Sequence, residues 1–256
     1  MHYDFFNHQH TLTDDQRVAW LREQYESLLT QAFAEYGRKG RKVMRFLRES
    51  DFYTVPCRHH NFVGGNAWHQ LEILVYALGS ECPDAELSAD FARWQPLWKD
   101  CFQMSIAVAC LLHDICNAGY GGSVKVTYPD RIRPRHGRKS TYVLAEFLKF
   151  ELMFDENMAI IHHQHKTEDD LRLNTRSEED FQRVWEMPLY HMTTICDELS
   201  IRHPLTEAQL RQAVGALSGS ALPRNKKKRR DSPETDIDYF RQAGLANNIS
   251  RSQSEP

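Results

Sequence analysis

Residues 110–120 read CLLHDICNAGY, the close of an almost unbroken apolar run that ends by setting His113 beside Asp114. An imidazole and a carboxylate at the buried end of a hydrophobic segment are costly unless something satisfies them. A metal ion would answer both, and the rest of the chain must then bring further ligands to the same place.

Outward from this stretch, helix signals dominate. Val18, Leu21, Tyr25, Leu28, Leu29, Ala32, Phe33 and Tyr36 recur at three- and four-residue spacing and line one helical face. Thr13 followed by Gln16 reads as the capping box of that helix, and Gly37 as its stop. A second helix is expected over 41–50. The segment DFYTVPCRHHNFVGGN, broken by Pro56 and Gly64-Gly65, reads as an extended or looped connection. Further helices are expected at about 66–79, 97–113, 138–154, 155–164, 180–199 and 205–217, with Pro188 opening or kinking the one that runs to Leu199. Period-two alternation is rare; SVKVTY at 123–128 is the one candidate for a short hairpin arm. The fold class is therefore all-α.

With 256 residues, 41% hydrophobic and 26% charged, the chain suits one sizeable folded domain with additions. No apolar run approaches the length that crosses a bilayer, and the first residues lack the basic-then-apolar pattern of a secretory signal, so a cytoplasmic protein is expected. The six cysteines are scattered without a C-x-x-C pair, which argues against a zinc ribbon or a disulfide scaffold and for reduced structural thiols. Net charge is −3 but unevenly spread: residues 219–256 hold eight Lys/Arg against five Asp/Glu, leaving 24 against 30 in the body. That segment, with RNKKKRR at 224–230, reads as a basic, mostly disordered tail, apart from the helical spacing of DIDYFRQAGL.

Seven of the 13 histidines fall where helices end or loops meet: His59, His60, His69, His113, His136, His162 and His163. Imidazole and carboxylate ligands suit Zn, Fe, Mn, Ni or Co, and two-metal sites share a bridging carboxylate. The motifs GGNAWHQ, LLHDIC, HGRKS, AIIHHQ and ICDELS follow one another in the order and at roughly the spacing of the HD phosphohydrolase superfamily, which the chain resembles over about residues 55–205. The resemblance implies a helical bundle with a metal site at its centre. It makes residues 51–218 the HD-like domain and residues 1–50 helices that pack on it. It also implies that His69, His113, Asp114 and Asp197 hold a first ion. His136 and the pair His162-His163 match the positions that hold a second, with Asp114 as the bridge. The chain departs from the family at Cys116-Asn117, where many members carry Gly-Lys, and at Gln70, where serine or threonine is commoner.

The loop RIRPRHGRKS supports an anionic substrate, with Arg131, Arg133, Arg135, Arg138 and Lys139 and no acidic residue among them. Lys139 is the candidate to replace the missing phosphate-contacting lysine. Arg135, Arg138 and His60 complete the substrate-binding candidates, the glycines after His60 letting backbone approach the substrate. The expected activity is metal-dependent phosphomonoester or phosphodiester hydrolysis of a nucleotide or nucleic acid, with Asp114 and Lys139 catalytic and one or two divalent ions (Mn, Ni, Co, Fe or Zn). Two further readings share the scaffold: a nucleic-acid-processing or binding protein that uses the basic tail, and a di-iron oxygenase. The segment QHKTEDD after His163 lacks the GYP pattern of cyclic-dinucleotide hydrolases. Oligomeric state is open from sequence.

Overall fold

The computed structural model describes residues 11–35, 38–101, 103–129 and 136–219. Among these the chain forms eleven α-helices and no strand; the single β-bridge, Ser50 to Gly122, is isolated. In chain order they are α1 Asp14–Ala32, α2 Arg38–Glu49, α3 Gly65–Leu78, α4 Ser88–Lys99, α5 Gln103–Leu112, α6 His136–Thr141, α7 Phe154–His162, α8 Glu168–Asn174, α9 Glu178–Trp185, α10 Pro188–Arg202 and α11 Glu207–Gly219.

The first helix starts as its sequence dictates. The Thr13 hydroxyl accepts from the Gln16 backbone N–H and the Gln16 side chain accepts from the Thr13 N–H, closing the capping box. Leu21, Tyr25, Leu28 and Leu29 are fully buried in one core that continues through α3, α5, α7 and α10 to Leu210 and Val214 on α11. Helix α3 packs on α5 and α10, and α10 packs in turn on α7 and α4. Those four central helices, α3, α5, α7 and α10, position the polar cluster described below.

The expected helix over 97–113 is interrupted. Asp100 and Cys101 turn the chain between α4 and α5, the Cys101 N–H donating to the Trp98 carbonyl. The segment expected as one helix over 180–199 is two, because Pro188 has no N–H to donate and sits at the first position of α10. Two helices lie wholly or mostly outside the expected ranges: α4, with its buried stripe of Phe91, Trp94 and Trp98, and the short α8, which buries only Leu171. Their signals are Asp84, whose carboxylate accepts from the backbone N–H groups of Glu86 and Leu87, and Thr167, which caps α8 through the Asp170 N–H. SVKVTY forms no ladder; the Val126 N–H donates to the Gly119 carbonyl at 2.9 Å and Tyr128 Oη to the Cys116 carbonyl at 3.2 Å. All six cysteines are free.

Three glycines hold positions that a side chain would strain, one through its backbone angle and two through close backbone approach. Gly64 sits at φ +87°, and a Cβ on Gly65 would lie 1.8 Å from the His60 carbonyl oxygen. The Gly64-Gly65 pair thus lets the HHNFVGG loop fold back on itself. Arg17, buried, donates from Nε to the Val63 carbonyl at 3.0 Å and lies over the Phe62 ring, which ties that loop to α1. On α6, a Cβ at Gly137 would stand 2.2 Å from the Ile160 carbonyl oxygen, so α6 meets α7 backbone to backbone. The expected cost of Gly137→Ala is therefore about 1–3 kcal/mol or more, since rigid backbone must move; an unchanged urea midpoint would show that α6 is free to shift.

His191, on α10, stacks on Trp94 with ring centroids 3.6 Å apart, and its Nε2 bonds the Trp185 carbonyl at 2.6 Å. Burial pushes its pKa down to about 4. An unfolded histidine titrates near 6.5, so between these values the unfolded chain holds the extra proton. Stability from this residue is complete above pH 6.5 and falls as pH drops toward about 4, by at most about 3 kcal/mol. In a pH series of chemical denaturations, His191→Gln should flatten that part of the curve; equal slopes in both proteins would contradict this.

Candidate metal centre

The centre assembles where the ends of α5, α6 and α7 meet α3 and α10. His69 comes from the first turns of α3, and Asp197 lies in α10. His113 and Asp114 follow the end of α5, and His163 follows the end of α7. Adjacent residues in a regular helix diverge by about 100°. His113 and Asp114 both face the centre because the helix has ended: Asp114 has φ −115° and ψ 26° and starts a 3₁₀ turn, Ile115–Asn117.

The imidazoles are fixed from behind. His113 Nδ1 bonds the Cys110 carbonyl at 2.9 Å, His163 Nδ1 bonds the Ile160 carbonyl at 2.8 Å, and His69 Nδ1 bonds Ser200 Oγ at 2.7 Å. Carbonyls only accept, so His113 and His163 carry their protons on Nδ1. The lone pairs on Nε2 are left for the centre, an arrangement typical of metal-ligating histidines.

In front of them stand the two carboxylates. His69 Nε2 lies 3.1 Å from Asp197 Oδ1. Around Asp114, His163 Nε2 is 3.6 Å from Oδ1, His136 Nδ1 3.8 Å from Oδ1, and His113 Nε2 3.8 Å from Oδ2. These last separations are too long for hydrogen bonds. They approach the spacing of ligands around one ion, about 3.4 Å for tetrahedral bonds of about 2.1 Å. His113 Nε2 and Asp114 Oδ1 are buried without a hydrogen-bond partner, the condition that a cation between them would relieve. Three groups can each close around an ion: His69, His113 and Asp197; His113, Asp114 and His163; and Asp114, Cys116 and His136. The residues present thus fit one or two divalent ions.

Electrostatics agree with this. Burial pushes His113 down to about 4, keeping it neutral at pH 7. Burial works against the charge on Asp114 and Asp197, but the surrounding imidazoles, with Lys166 beside Asp197, outweigh it and hold both carboxyls below the usual range. Burial also opposes protonation of His69, yet the Asp197 hydrogen bond and charge raise it. Burial pushes the Cys116 thiol up to about 12, and its Sγ donates to the His136 carbonyl at 3.4 Å. A neutral thiol so engaged is a weaker ligand than its imidazole neighbours.

The residues singled out from sequence separate at this level. His69, His113, Asp114, His136, His163 and Asp197 come together. His162 does not join the groupings; it is buried with its ring 5.3 Å from that of His165, because one turn of helix cannot aim both members of the pair at one point. His60, fully buried, points Nε2 at Glu72 Oε2, 3.0 Å away. Glu72 is itself held by Trp68 Nε1 and the Leu205 N–H, each at 2.9 Å on Oε1. His60, His69 and Glu72 form a fourth cluster of metal-ligand type, entirely buried. His59 is the more exposed member of that pair, its pKa lowered by burial and by His69. Lys139 lies with Nζ 5.4 Å from the Tyr128 ring centroid, Arg138 is half-buried, and Arg135 with Arg131 and Arg133 falls outside the described residues. The basic tail falls outside them as well.

Sequence reasoning missed Asn117, Ser200, Glu72 and Lys166. Asn117 replaces a lysine of the resembled pattern, and its Nδ2 donates to Asp114 Oδ2 at 3.2 Å and Asn66 Oδ1 at 2.9 Å, so it orients the carboxylate. Gln70, the other departure, turns its side-chain oxygen away to the Tyr25 hydroxyl. Ser200 was readable, being three residues after Asp197 on the same helix face; Glu72 and Lys166 have no local signature.

No protein-family model matches the chain, and neither a curated protein nor a solved structure is significantly similar to it.

Proposed function

We propose that the chain is a metal-dependent phosphohydrolase of the HD type. Its substrate would be a phosphomonoester or phosphodiester in a nucleotide or nucleic acid. One observation carries the reading. Three histidines with their Nδ1 atoms tied down turn Nε2 on Asp114 and Asp197, and His113 Nε2 and Asp114 Oδ1 have no other partner.

A divalent ion bound there lowers the pKa of water toward about 7 and neutralises phosphoryl oxygens. His69, His113, Asp114 and Asp197 would hold the first ion; His136 and His163, sharing Asp114, would hold a second. Asp114 is the candidate to orient the attacking water and take its proton. It is buried at the centre, and Asn117 fixes its other oxygen at 3.2 Å. Lys139 and Arg138 follow His136 on α6, and a substrate anion is the partner that the sequence reading gives them. No described helix is long and apolar enough to cross a membrane.

Purified protein should take up one or two equivalents of a transition ion, measured by mass spectrometry of the full chain. Mn²⁺ at about one hundred times its dissociation constant should stabilise the fold by about 2.7 kcal/mol, and a chelator should reverse this. Asp114→Asn keeps the shape and the Asn117 contact. It should lower hydrolysis of a generic phosphoester such as p-nitrophenyl phosphate by about a hundredfold or more without unfolding the chain. Full activity in that variant, or failure of every candidate ion to bind the wild type, would overturn the reading.

A further inference from the structure

The turn between α7 and α8 brings a cation to the centre that the histidine pattern does not reveal. Lys166 Nζ lies 3.7 Å from Asp197 Oδ2 and also contacts Glu198 Oε2. The lysine side chain is 38% exposed and the Asp197 side chain 11%, so the ammonium stands where the buried cluster meets solvent.

Its position is built rather than incidental. On one side, His165 is buried, its Nδ1 on Asp170 Oδ2 at 3.1 Å and its carbonyl accepting from the Tyr190 hydroxyl. On the other, Thr167 caps α8 through the Asp170 N–H at 3.2 Å. The residue between two such anchors has little freedom in its backbone. Its head group is then steered by Glu198, whose second oxygen accepts from Arg202 Nε at 2.7 Å. Arg202 is held in turn by Asp84 and Glu86. The chain of alternating charges fixes Lys166 beside Asp197 and uses one of its three N–H donors on Glu198.

We propose that Lys166 is the phosphate-binding cation of this centre. The inference rests on the phosphohydrolase reading and adds to it a residue and a direction of substrate approach. With the centre loaded, the Asp197 carboxylate is committed to an ion, and the ammonium keeps donors for a second anionic group. A phosphate at the mouth, bearing up to two negative charges, matches a point charge of this kind. Lys166 thus takes the place assigned from sequence to Lys139, whose ammonium lies over the Tyr128 ring. Lys166 acts on substrate charge and takes no part in proton transfer.

The test uses the full-length wild type beside Lys166→Met and Lys166→Arg. Mn²⁺ affinity is measured by calorimetry, and inorganic phosphate binding to the Mn²⁺-loaded proteins by broadening of the ³¹P resonance. Lys166→Met should bind Mn²⁺ as tightly as the wild type or tighter, since a competitor for Asp197 is removed. It should bind phosphate about tenfold more weakly or worse, the loss of one charge-assisted contact. Lys166→Arg should recover most of the phosphate affinity, and with p-nitrophenyl phosphate the methionine variant should lose through KM more than kcat. Normal Mn²⁺ and normal phosphate binding in Lys166→Met overturns the role of Lys166 and leaves the metal centre standing. A wild type that binds no ion overturns the centre itself, and this inference with it.

Discussion

Two carboxylates buried within one helical core set the terms for everything around them. Asp114 and Asp197 are desolvated, yet the surrounding groups keep both ionised. An isolated buried carboxylate would take up a proton instead. At Asp197 the opposing groups are His69, hydrogen-bonded to it, and Lys166; around Asp114 stand the imidazoles of His113, His163 and His136, the first two oriented by Nδ1 hydrogen bonds to backbone carbonyls. Those carbonyls lie three residues back, freed because α5 and α7 end there. The four carbonyls at a helix C-terminus lack intrahelical partners, and here two of them orient ligands.

Bringing three helix ends to one point makes the packing unforgiving. Gly137 permits backbone contact between α6 and α7, which places His136 within reach of Asp114. Gly65 permits the tight loop that buries His60 against Glu72, and Trp68 and Leu205 hold Glu72 from the other side. The His60–Glu72 pair backs His69, whose ring centroid is 5.5 Å from that of His60. It belongs to the support of the centre, in a place where a substrate could not reach without displacing core.

The large features were legible because they depend on local rules. The Thr13–Gln16 capping box, the start of α10 at Pro188 and the apolar stripe of α1 are consequences of spacing within one turn or two. His113-Asp114 was legible because a polar pair after a long apolar run has few structural uses. The resemblance to a known superfamily supplied the remaining candidates; it could not say which of His162 and His163 faces inward, since that depends on where α7 ends within one residue. Glu72 and Lys166 were not legible. Their partners, His60 and Asp197, lie 12 and 31 positions away, and nothing in a spacing pattern links them. The break within 97–113 was not legible for a related reason: apolar residues continue across the turn at Asp100 and Cys101 into one core, whereas the break within 180–199 was marked by Pro188.

Charge accounting around the centre constrains the order of binding. With His113 neutral, Asp114 and Asp197 dominate the metal-free site, and a phosphate brought to it would meet two buried negative charges in a medium that screens them poorly. Lys166 offsets part of one, but Glu198 already shares its charge. One divalent cation cancels the two carboxylates, and the ammonium then shares its charge with Glu198 and no longer with Asp197. On the phosphohydrolase reading, the empty centre therefore repels its substrate and the loaded centre attracts it. On that reading metal binding is a prerequisite for recognition as well as for chemistry, and the carboxylates that would hold the ion keep an unloaded centre from trapping substrate unproductively.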